Sequence, residues 1–334
     1  MTIERRPEPL MSVPTRSHTL RDIMIGCLVI AALAAIPFLL PSKAFQDFVI
    51  RCSSMALFAT SLNLLVGYTG LSSFGHGLFY GLGTYSFALL MQKTGLPLPA
   101  AFVLTLLLTA ATAVVVGAIC IRLRLIYFAF VTLAMQMLAH SIVISWVGLT
   151  GGDQGLQGGI PRRVVAGIDL GNQYHLYIFS AVLLVIGLLL MRHIVSTSFG
   201  TSLRMIRDNE VRAAFLGIVV WRVKLTVFVL AAVFAAVGGI VMSLFVSGAY
   251  PELINWPISG DAIFAIVLGG VGSFLGPTVG ASILLLLNDV VTRQTEYYGL
   301  ALGIIILLFA LGLRRGLLDF ITQRLGGRPA GGIS

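Results

Sequence analysis

The residues Val182-Leu-Leu-Val-Ile-Gly-Leu-Leu-Leu190 form an apolar run without a polar interruption. Strands of a membrane β-barrel alternate outward apolar and inward polar side chains, and this run shows no such alternation. The apolar segment that contains it, 175–191, approaches the roughly 20 residues with which an α-helix crosses a bilayer. The run therefore predicts a membrane-spanning helix.

Segments of the same kind recur along the whole chain. They are approximately 22–41, 45–66, 71–91, 98–121, 125–147, 175–191, 223–247, 257–270, 273–291 and 297–313. Hydrophobic residues make up 57% of the 334 residues and charged residues 10%. A typical soluble domain has about 25% charged residues, so a soluble globule is excluded, and the apolar content excludes disorder. We predict an all-α polytopic membrane protein with eight to ten transmembrane helices. The glycine-rich segment 71–91 and the short segment 257–270 are candidates for broken or re-entrant helices.

The net charge of +9 is a property shared with nucleic-acid-binding proteins, but the position of the charges indicates another origin. If the N-terminus is cytoplasmic and every segment crosses, sixteen of the 22 basic residues and six acidic residues lie on the cytoplasmic side. This asymmetry is the positive-inside bias of membrane proteins. It predicts basic cytoplasmic tails at 1–21 and 314–334 around a transmembrane domain at 22–313. Within that domain, 148–174 is an external loop and 192–222 a cytoplasmic loop, and no nucleic-acid partner is needed.

Several patterns that carry chemistry are absent from the sequence. A phosphate-binding P-loop needs Gly-Lys-Ser/Thr, and none of the three lysines follows a glycine. The sequence has no HExxH, Gly-x-Ser-x-Gly or Cys-x-x-Cys motif, and the three cysteines have no metal-ligand spacing. Few ionisable residues lie in the apolar segments, and the candidates Arg51, Asp261 and Asp289 do not form a convincing proton relay. The sequence therefore argues against a self-powered pump, a metal site and an ion-coupled carrier.

Two glycine-rich stretches interrupt the apolar segments, at 62–85 and 264–281. Glycines permit close packing of membrane helices, and clusters of them permit a helix to break and expose its backbone along a transport path. The two stretches are loosely similar, either as halves of an internal repeat or through glycine enrichment alone. Polar side chains in the first stretch are candidates either for the translocation path or for local packing. They are Asn63, Tyr68, Ser72, Ser73 and His76.

Two polar stretches between apolar segments have patterns of their own. Residues 202–216 have the period of an amphipathic helix, with Gly217 as a plausible stop. Such a helix either lies on the lipid surface or docks into a groove of a soluble partner, and its residues do not separate these alternatives. The glycine-rich stretch 148–161 either caps a pathway, contacts an external partner or simply connects two segments.

Four motifs lie at these places. They are Asn63-Leu64-Leu65-Val66-Gly67-Tyr68-Thr69-Gly70 running into Ser73-Phe74-Gly75-His76; Thr150-Gly151-Gly152 leading to Gly155-Leu156 and Gly159-Ile160-Pro161; Phe199-Gly200 with Arg204, Arg207-Asp208-Asn209-Glu210, Ala213-Ala214 and Gly217; and Gly269-Gly270-Val271-Gly272 with Gly276-Pro277. Their combination resembles the permease subunits of ATP-binding-cassette (ABC) importers for branched-chain amino acids, and among these the M-type (LivM-like) subunit. The resemblance covers residues 45–313. Two departures, at Gly70-Leu71-Ser72-Ser73 and at Asp153-Gln154 with an extra glycine beside Gly159, concern the identity of the substrate.

The resemblance implies a transport subunit of the bacterial cytoplasmic (inner) membrane, multi-pass with both termini cytoplasmic, and not an enzyme. Its implied substrates are branched-chain or related neutral amino acids. The alternative substrates within the same importer class are urea and short amides, or aromatic acids. A more distant alternative is that the chain is an ion-coupled carrier. The implied partners are a second homologous permease subunit in a heterodimeric pore, two cytosolic ATPase subunits, an extracytoplasmic binding protein and membrane lipid. ATP and Mg²⁺ would act on the ATPase subunits, and this chain would bind no cofactor or metal.

The resemblance also implies roles for individual residues. It makes 198–217 the coupling loop that seats on an ATPase subunit, so that closure of the ATPases would push this helix and reorient the spans. The coupling residues are Arg204, Arg207, Asp208, Glu210, Arg212, Ala213, Ala214 and Gly217. The residues of interest in the external loop are Gly151, Gly152, Asp153 and Gly155.

Overall fold

The computed structural model describes residues 42–123, 126–161, 164–165, 167–294, 299–300, 303–304 and 307. The tails 1–21 and 314–334 and the segment 22–41 lie outside the described residues, as does most of the segment 297–313. Within the described part, the chain forms eleven α-helices and one antiparallel pair of two-residue strands.

The helices are α1 (Lys43–Thr69), α2 (Gly77–Lys93), α3 (Leu98–Cys120), α4 (Ile126–Ser145), α5 (Val147–Thr150), α6 (Gln173–Ser196), α7 (Ser198–Asp208), α8 (Glu210–Phe215), α9 (Val220–Val246), α10 (Trp256–Gly269) and α11 (Gly276–Gln294). The strands are β1 (Val164–Val165) and β2 (Ile168–Asp169), and both belong to the loop between α5 and α6. Two 3-10 turns, Gly152–Gln154 and Pro251–Ile254, lie in the connections after α5 and α9.

Five of the described helices, α1, α3, α4, α6 and α9, are long and apolar enough to cross a membrane. They coincide with five of the apolar segments that predicted spanning helices, so the all-α polytopic membrane fold is confirmed. Shorter helices occupy the segments for which a break or re-entry was predicted: α2 has 17 residues and α10 has 14.

Both glycine-rich stretches contain a break in helical structure. Residues 70–76, the first break, separate α1 from α2, and residues 270–275, the second break, separate α10 from α11. Gly70 ends α1 with a φ of 76°, in the left-handed region that glycine adopts without a steric penalty. The sequence therefore places a helix stop where the apolar composition alone would continue the span.

Helix α1 lies at the centre of the described fold. Within its most apolar window 83% of the residues are buried, against 28% in α3 and in α4. Ser54 of α1 donates a hydrogen bond to the carbonyl of Gly238 on α9 (2.7 Å) and shares another with the hydroxyl of Tyr80 on α2 (2.8 Å). Small and hydroxylated residues let membrane helices approach closely and satisfy polar groups internally. The outward side chains of α3 are apolar, for example Leu107, as a lipid-facing helix requires.

Candidate functional site

The segment between α6 and α9, predicted to be a cytoplasmic loop, folds as two helices rather than the single helix that the sequence predicted. Helix α7 begins at Ser198, and the extended backbone of Asn209 (φ −165°, ψ 110°) separates it from α8. The Asn209 side chain accepts a hydrogen bond from the backbone N–H of Arg212 at 2.9 Å and so caps α8. Asparagine favours this capping position over a helix interior, and this was the sequence signal for the interruption.

The apolar side chains of this segment divide into an inner and an outer group. Leu203 and Ile206 are buried against the rest of the fold, as expected for the apolar side of an amphipathic helix. Val211, Phe215 and Leu216 point away from it, with Phe215 87% exposed and Leu216 66% exposed. We call these three residues the apolar tip. Large apolar groups with this exposure, on a segment that is otherwise polar, are typical of a surface that binds another protein.

Two arginines join α7 to the end of α1. Nη1 of Arg207 donates a hydrogen bond to the backbone carbonyl of Gly67 at 2.6 Å. The guanidinium of Arg204 lies 5.7 Å from the centre of the Tyr68 ring, a cation–π distance. Gly67 is in the last turn of α1, where carbonyls have no partner within the helix and where the helix dipole favours a positive charge. Helix α7 therefore contacts the helix end that precedes the first break.

Of the remaining residues predicted for coupling, Glu210 and Gly217 define the two ends of α8. Lys224, whose side chain is only 5% exposed, forms an ion pair with Glu210 at the start of α8. Ala213 is buried, whereas Asp208, Arg212 and Ala214 are exposed. Gly217 has a φ of 85°, and a Cβ at this position would meet no atom within 4 Å. Gly217 thus ends α8 by its backbone conformation, in open space.

The five polar residues considered for the translocation path occupy different environments. Ser72 is exposed and Tyr68 is half-buried, whereas Asn63, Ser73 and His76 are buried. Nε2 of His76 lies 3.0 Å from the Ser61 hydroxyl, and its ring stacks on Phe58 at 5.6 Å between centroids. The side-chain amide of Asn63 has no hydrogen-bond partner among the described residues, although both of its polar atoms are buried.

The first and second breaks meet in the fold. A Cβ on Gly67 would lie 2.9 Å from the backbone carbonyl of Val271 and 2.4 Å from the Asn63 amide oxygen. The unpartnered amide of Asn63 is thus at the junction of the two glycine-rich stretches. A cavity of about 770 Å³ lies beside the first break. It is lined by residues of the break and of α4 and α10, which include Ser72, Phe74, Phe128, Trp256 and Phe264.

The residues singled out in the predicted external loop form a compact turn. Gly151 ends α5 with a φ of 79°, and Gly152 and Asp153 form the 3-10 turn that Gly155 ends. The next residue, Leu156, donates its backbone N–H to the carbonyl of Ala249 at 2.7 Å. The loop is therefore attached to the connection between α9 and α10, with Asp153 exposed.

One ion pair was not predicted from the sequence. Arg51 and Asp289 were considered only as separate ionisable residues, but the structure pairs them, with Nη1–Oδ1 at 3.0 Å and Nη2–Oδ2 at 2.6 Å. They are 238 positions apart, so no local pattern indicated the pair. Among the described residues, no group of three or more His, Cys, Asp or Glu side chains is placed to hold a metal ion.

Comparison with known proteins gives the same family over most of the chain. Residues 45–311 match the permease component of branched-chain amino acid transport systems. The high-affinity branched-chain amino acid transport system permease protein LivM of Salmonella typhimurium is 27% identical over 325 residues, which cover 90% of this chain and 76% of the relative. LivM of Escherichia coli K12 gives the same values. LivH of Escherichia coli K12 is 27% identical over 282 residues, 80% of this chain and 91% of the relative. No solved structure is significantly similar to the chain.

The LivM relatives match a larger share of this chain than LivH does, in agreement with the M-type resemblance of its motifs. Five membrane-spanning candidates among the described helices, the broken helices and a family match over residues 45–311 all indicate the same class. The chain belongs to the family of permease components of branched-chain amino acid transport systems and is a multi-pass membrane transport subunit, not an enzyme.

Proposed function

We propose that this chain is one of two homologous permease subunits in an importer of branched-chain or related neutral amino acids. An extracytoplasmic binding protein delivers the substrate, and two cytosolic ATPase subunits supply the energy from ATP and Mg²⁺. The permease lies in the bacterial inner membrane with both termini in the cytoplasm, and it binds no cofactor itself. The names of the LivM and LivH relatives support the substrate class.

The observation that carries this proposal is the apolar tip on α8. Val211, Phe215 and Leu216 are 59%, 87% and 66% exposed, on a segment that also carries Asp208 and Arg212 at its surface. A membrane surface would attract basic residues without an acidic one among them, whereas a protein groove accommodates both charges beside an apolar anchor. We therefore assign the apolar tip to an ATPase subunit.

The contacts of α7 supply a route from the docked ATPase to the membrane domain. Movement of the apolar tip would displace α7, and α7 is attached to the end of α1 through Arg207 and Gly67. Gly67 in turn lies against Val271 in the second break. Because both breaks meet at this point, a shift of α7 would change the gap between them in one step, as expected for switching between two packed arrangements.

The junction of the two breaks is the proposed translocation path. Asn63 has a buried amide without a partner, and such a group costs about 1–3 kcal/mol when it stays unpaired. A passing polar substrate or water would satisfy it. Ser72 lines the large cavity next to the same break, and Tyr68, Ser73 and His76 lie in the last turn of α1 and in that break. These residues are the proposed wall of the path on the side of this subunit.

Replacement of Phe215 by Ala tests the proposal. Burial of a phenylalanine side chain contributes about 1.5–3 kcal/mol, so the variant is expected to bind the ATPase roughly 10–100-fold more weakly. The measurement is retention of the ATPase on the affinity-purified permease, together with ATP hydrolysis stimulated by the substrate-loaded binding protein. Leu107→Ala is the matched control. Leu107 is a large exposed apolar residue like Phe215, with 61% exposure, but it lies on the spanning helix α3.

Equal retention of the ATPase by the Phe215 variant, the Leu107 control and the unmodified chain would contradict the docking role. Uptake by the isolated chain, driven by an ion gradient and without any ATPase, would contradict the importer class itself.

A further inference from the structure

A second cavity lies among α1, α2, α9, α10 and α11 and has a volume of about 170 Å³. It shares no lining residue with the large cavity beside the first break. A single water needs roughly 10–15 Å³ by a comparable measure, so this cavity has room for a small molecule. Its apolar wall includes Met55, Leu284 and Leu285. Its polar lining residues are Arg51, Asp261, Asn288 and Tyr80, and the Tyr80 hydroxyl already shares a hydrogen bond with Ser54.

The cation of this cavity is held in a fixed orientation. Asp289 binds Arg51 through two parallel hydrogen bonds, which use two of the five N–H donors of the guanidinium. Both side chains are 28% exposed, so the rim of the cavity is accessible. Ionisable side chains among membrane helices are energetically unfavourable and usually mark a functional site. A guanidinium with remaining N–H donors is suited to bind a carboxylate.

The acid of this cavity has no partner in the part of the chain that the structure describes. Asp261 lines the cavity from α10 and forms no hydrogen bond or ion pair with any residue that the structure describes. A carboxylate in such apolar surroundings is unfavourable without a counter-charge. The amide oxygen of Asn288 accepts a hydrogen bond from Thr292 at 3.2 Å, which leaves its amide nitrogen as a donor. The cavity thus offers an acceptor with a full negative charge and separate donors for an anion.

We propose that this cavity binds a zwitterionic aliphatic amino acid within the membrane domain. Asp261 binds the α-ammonium, and Arg51 and Asn288 bind the α-carboxylate. Met55, Leu284 and Leu285 contact the aliphatic side chain, and Asp289 is a positioning residue that orients Arg51. The inference rests on the proposed importer function and adds to it a substrate site in this chain.

The charges of the cavity separate the substrate classes that the sequence left open. Urea and short amides carry no charge, so they would leave the Asp261 carboxylate without a counter-charge and the remaining N–H donors of Arg51 without an anion. An aromatic acid would satisfy Arg51 but not Asp261. A zwitterionic amino acid satisfies both, and a site whose polar groups are half-buried discriminates against ligands that leave one of them without a partner.

The test uses the permease complex purified from membranes with the subunits that accompany it, in nanodiscs and without binding protein. Equilibrium binding of tritiated L-leucine is measured, with isopentylamine, benzoate and urea as competitors. Leucine is expected to bind saturably, and each competitor at least tenfold more weakly. Asp261→Asn is expected to weaken leucine binding at least tenfold. The matched control is Asp169→Asn, since Asp169 lies on β2 in the external loop, away from the cavity.

Leu285→Trp provides a second variant in case Asp261→Asn does not assemble, because it fills the cavity without changing a charge. It is expected to abolish leucine binding. Unchanged leucine binding in both variants, benzoate binding equal to that of leucine, or an absolute requirement for Na⁺ would each overturn the site. Normal ATP-driven leucine uptake by Asp261→Asn would overturn it too, yet would leave the proposed importer function in place. If instead no ATPase accompanies the purified permease, the proposed function fails, whether or not leucine binds.

Discussion

Replacement of Arg207 by Met removes the hydrogen bond between α7 and the Gly67 carbonyl while keeping the length of the side chain. A hydrogen bond with one charged partner contributes about 1.5–3 kcal/mol when buried, and a cation at a helix C-terminus about 0.3–1 kcal/mol more. The Arg207 side chain is 43% exposed, so water replaces part of the lost interaction. We expect a net loss of about 1 kcal/mol, a factor of about five in the equilibrium that keeps α7 against α1.

The assay is the amount of leucine transported per ATP hydrolysed, in proteoliposomes that contain the full complex and saturating binding protein. Arg207→Met is expected to lower this ratio about fivefold, and Arg207→Lys, which keeps one cationic donor, to have a smaller effect. Arg222→Met is the control, because Arg222 is an exposed arginine on the first turn of α9. An unchanged ratio for Arg207→Met, or an equal loss for Arg222→Met, would refute the reasoning. So would a loss explained entirely by weaker ATPase retention.

Glu210→Gln is expected to raise amide hydrogen exchange in α8 several-fold, because it leaves the buried Lys224 ammonium without its counter-charge. The double variant Glu210→Gln, Lys224→Met removes both charges and should restore the protection of α8. Gly217→Val is expected to lower ATP hydrolysis stimulated by the binding protein, since a left-handed φ of 85° costs a β-branched residue about 1–2 kcal/mol. Gly217→Asn should retain most of this ATP hydrolysis, because asparagine adopts the left-handed conformation more easily. Equal activity of the Val and Asn variants would show that the backbone conformation is unimportant. A double-mutant cycle with Arg207→Met and Asp289→Asn should give a transport loss that is not additive, and strict additivity would mean that the two ends of α1 act independently.

Much of the fold follows from composition and spacing. The run at 182–190 lies within α6, and the segment 98–121 corresponds closely to α3, because a lipid-facing helix needs an unbroken apolar sequence. The glycine-rich stretch 62–85 also indicated a break, and in the structure this break begins at Gly70. The division of the segment 198–217 into two helices at Asn209 was missed. Apolar periodicity continues across a helix cap, and only the capping preference of asparagine indicates the interruption.

The candidate site was less predictable, for a physical reason. Arg207 was identified as a charged surface residue, but its partner is a backbone carbonyl, and a carbonyl leaves no signature in the side-chain sequence. The pair between Arg51 and Asp289 joins two helices that are distant in the chain. Asn63 was selected as a polar residue in a glycine-rich stretch, yet its isolation at the junction with Val271 depends on how the two breaks pack. Sequence patterns identified the residues, and tertiary packing determined their partners.

Helix α1 connects the two proposed sites mechanically. Arg51 and Gly67 are sixteen residues apart on this helix, which corresponds to about 24 Å at 1.5 Å per residue. Arg51 helps to form the amino-acid cavity at one end, and the Gly67 carbonyl receives Arg207 at the other. Because α1 is buried along most of its length, it bends little on its own, and a displacement at one end is transmitted to its neighbours along the whole helix. Occupancy of the cavity and docking of the ATPase would therefore bias the position of the same element, and thermodynamic linkage makes that coupling reciprocal.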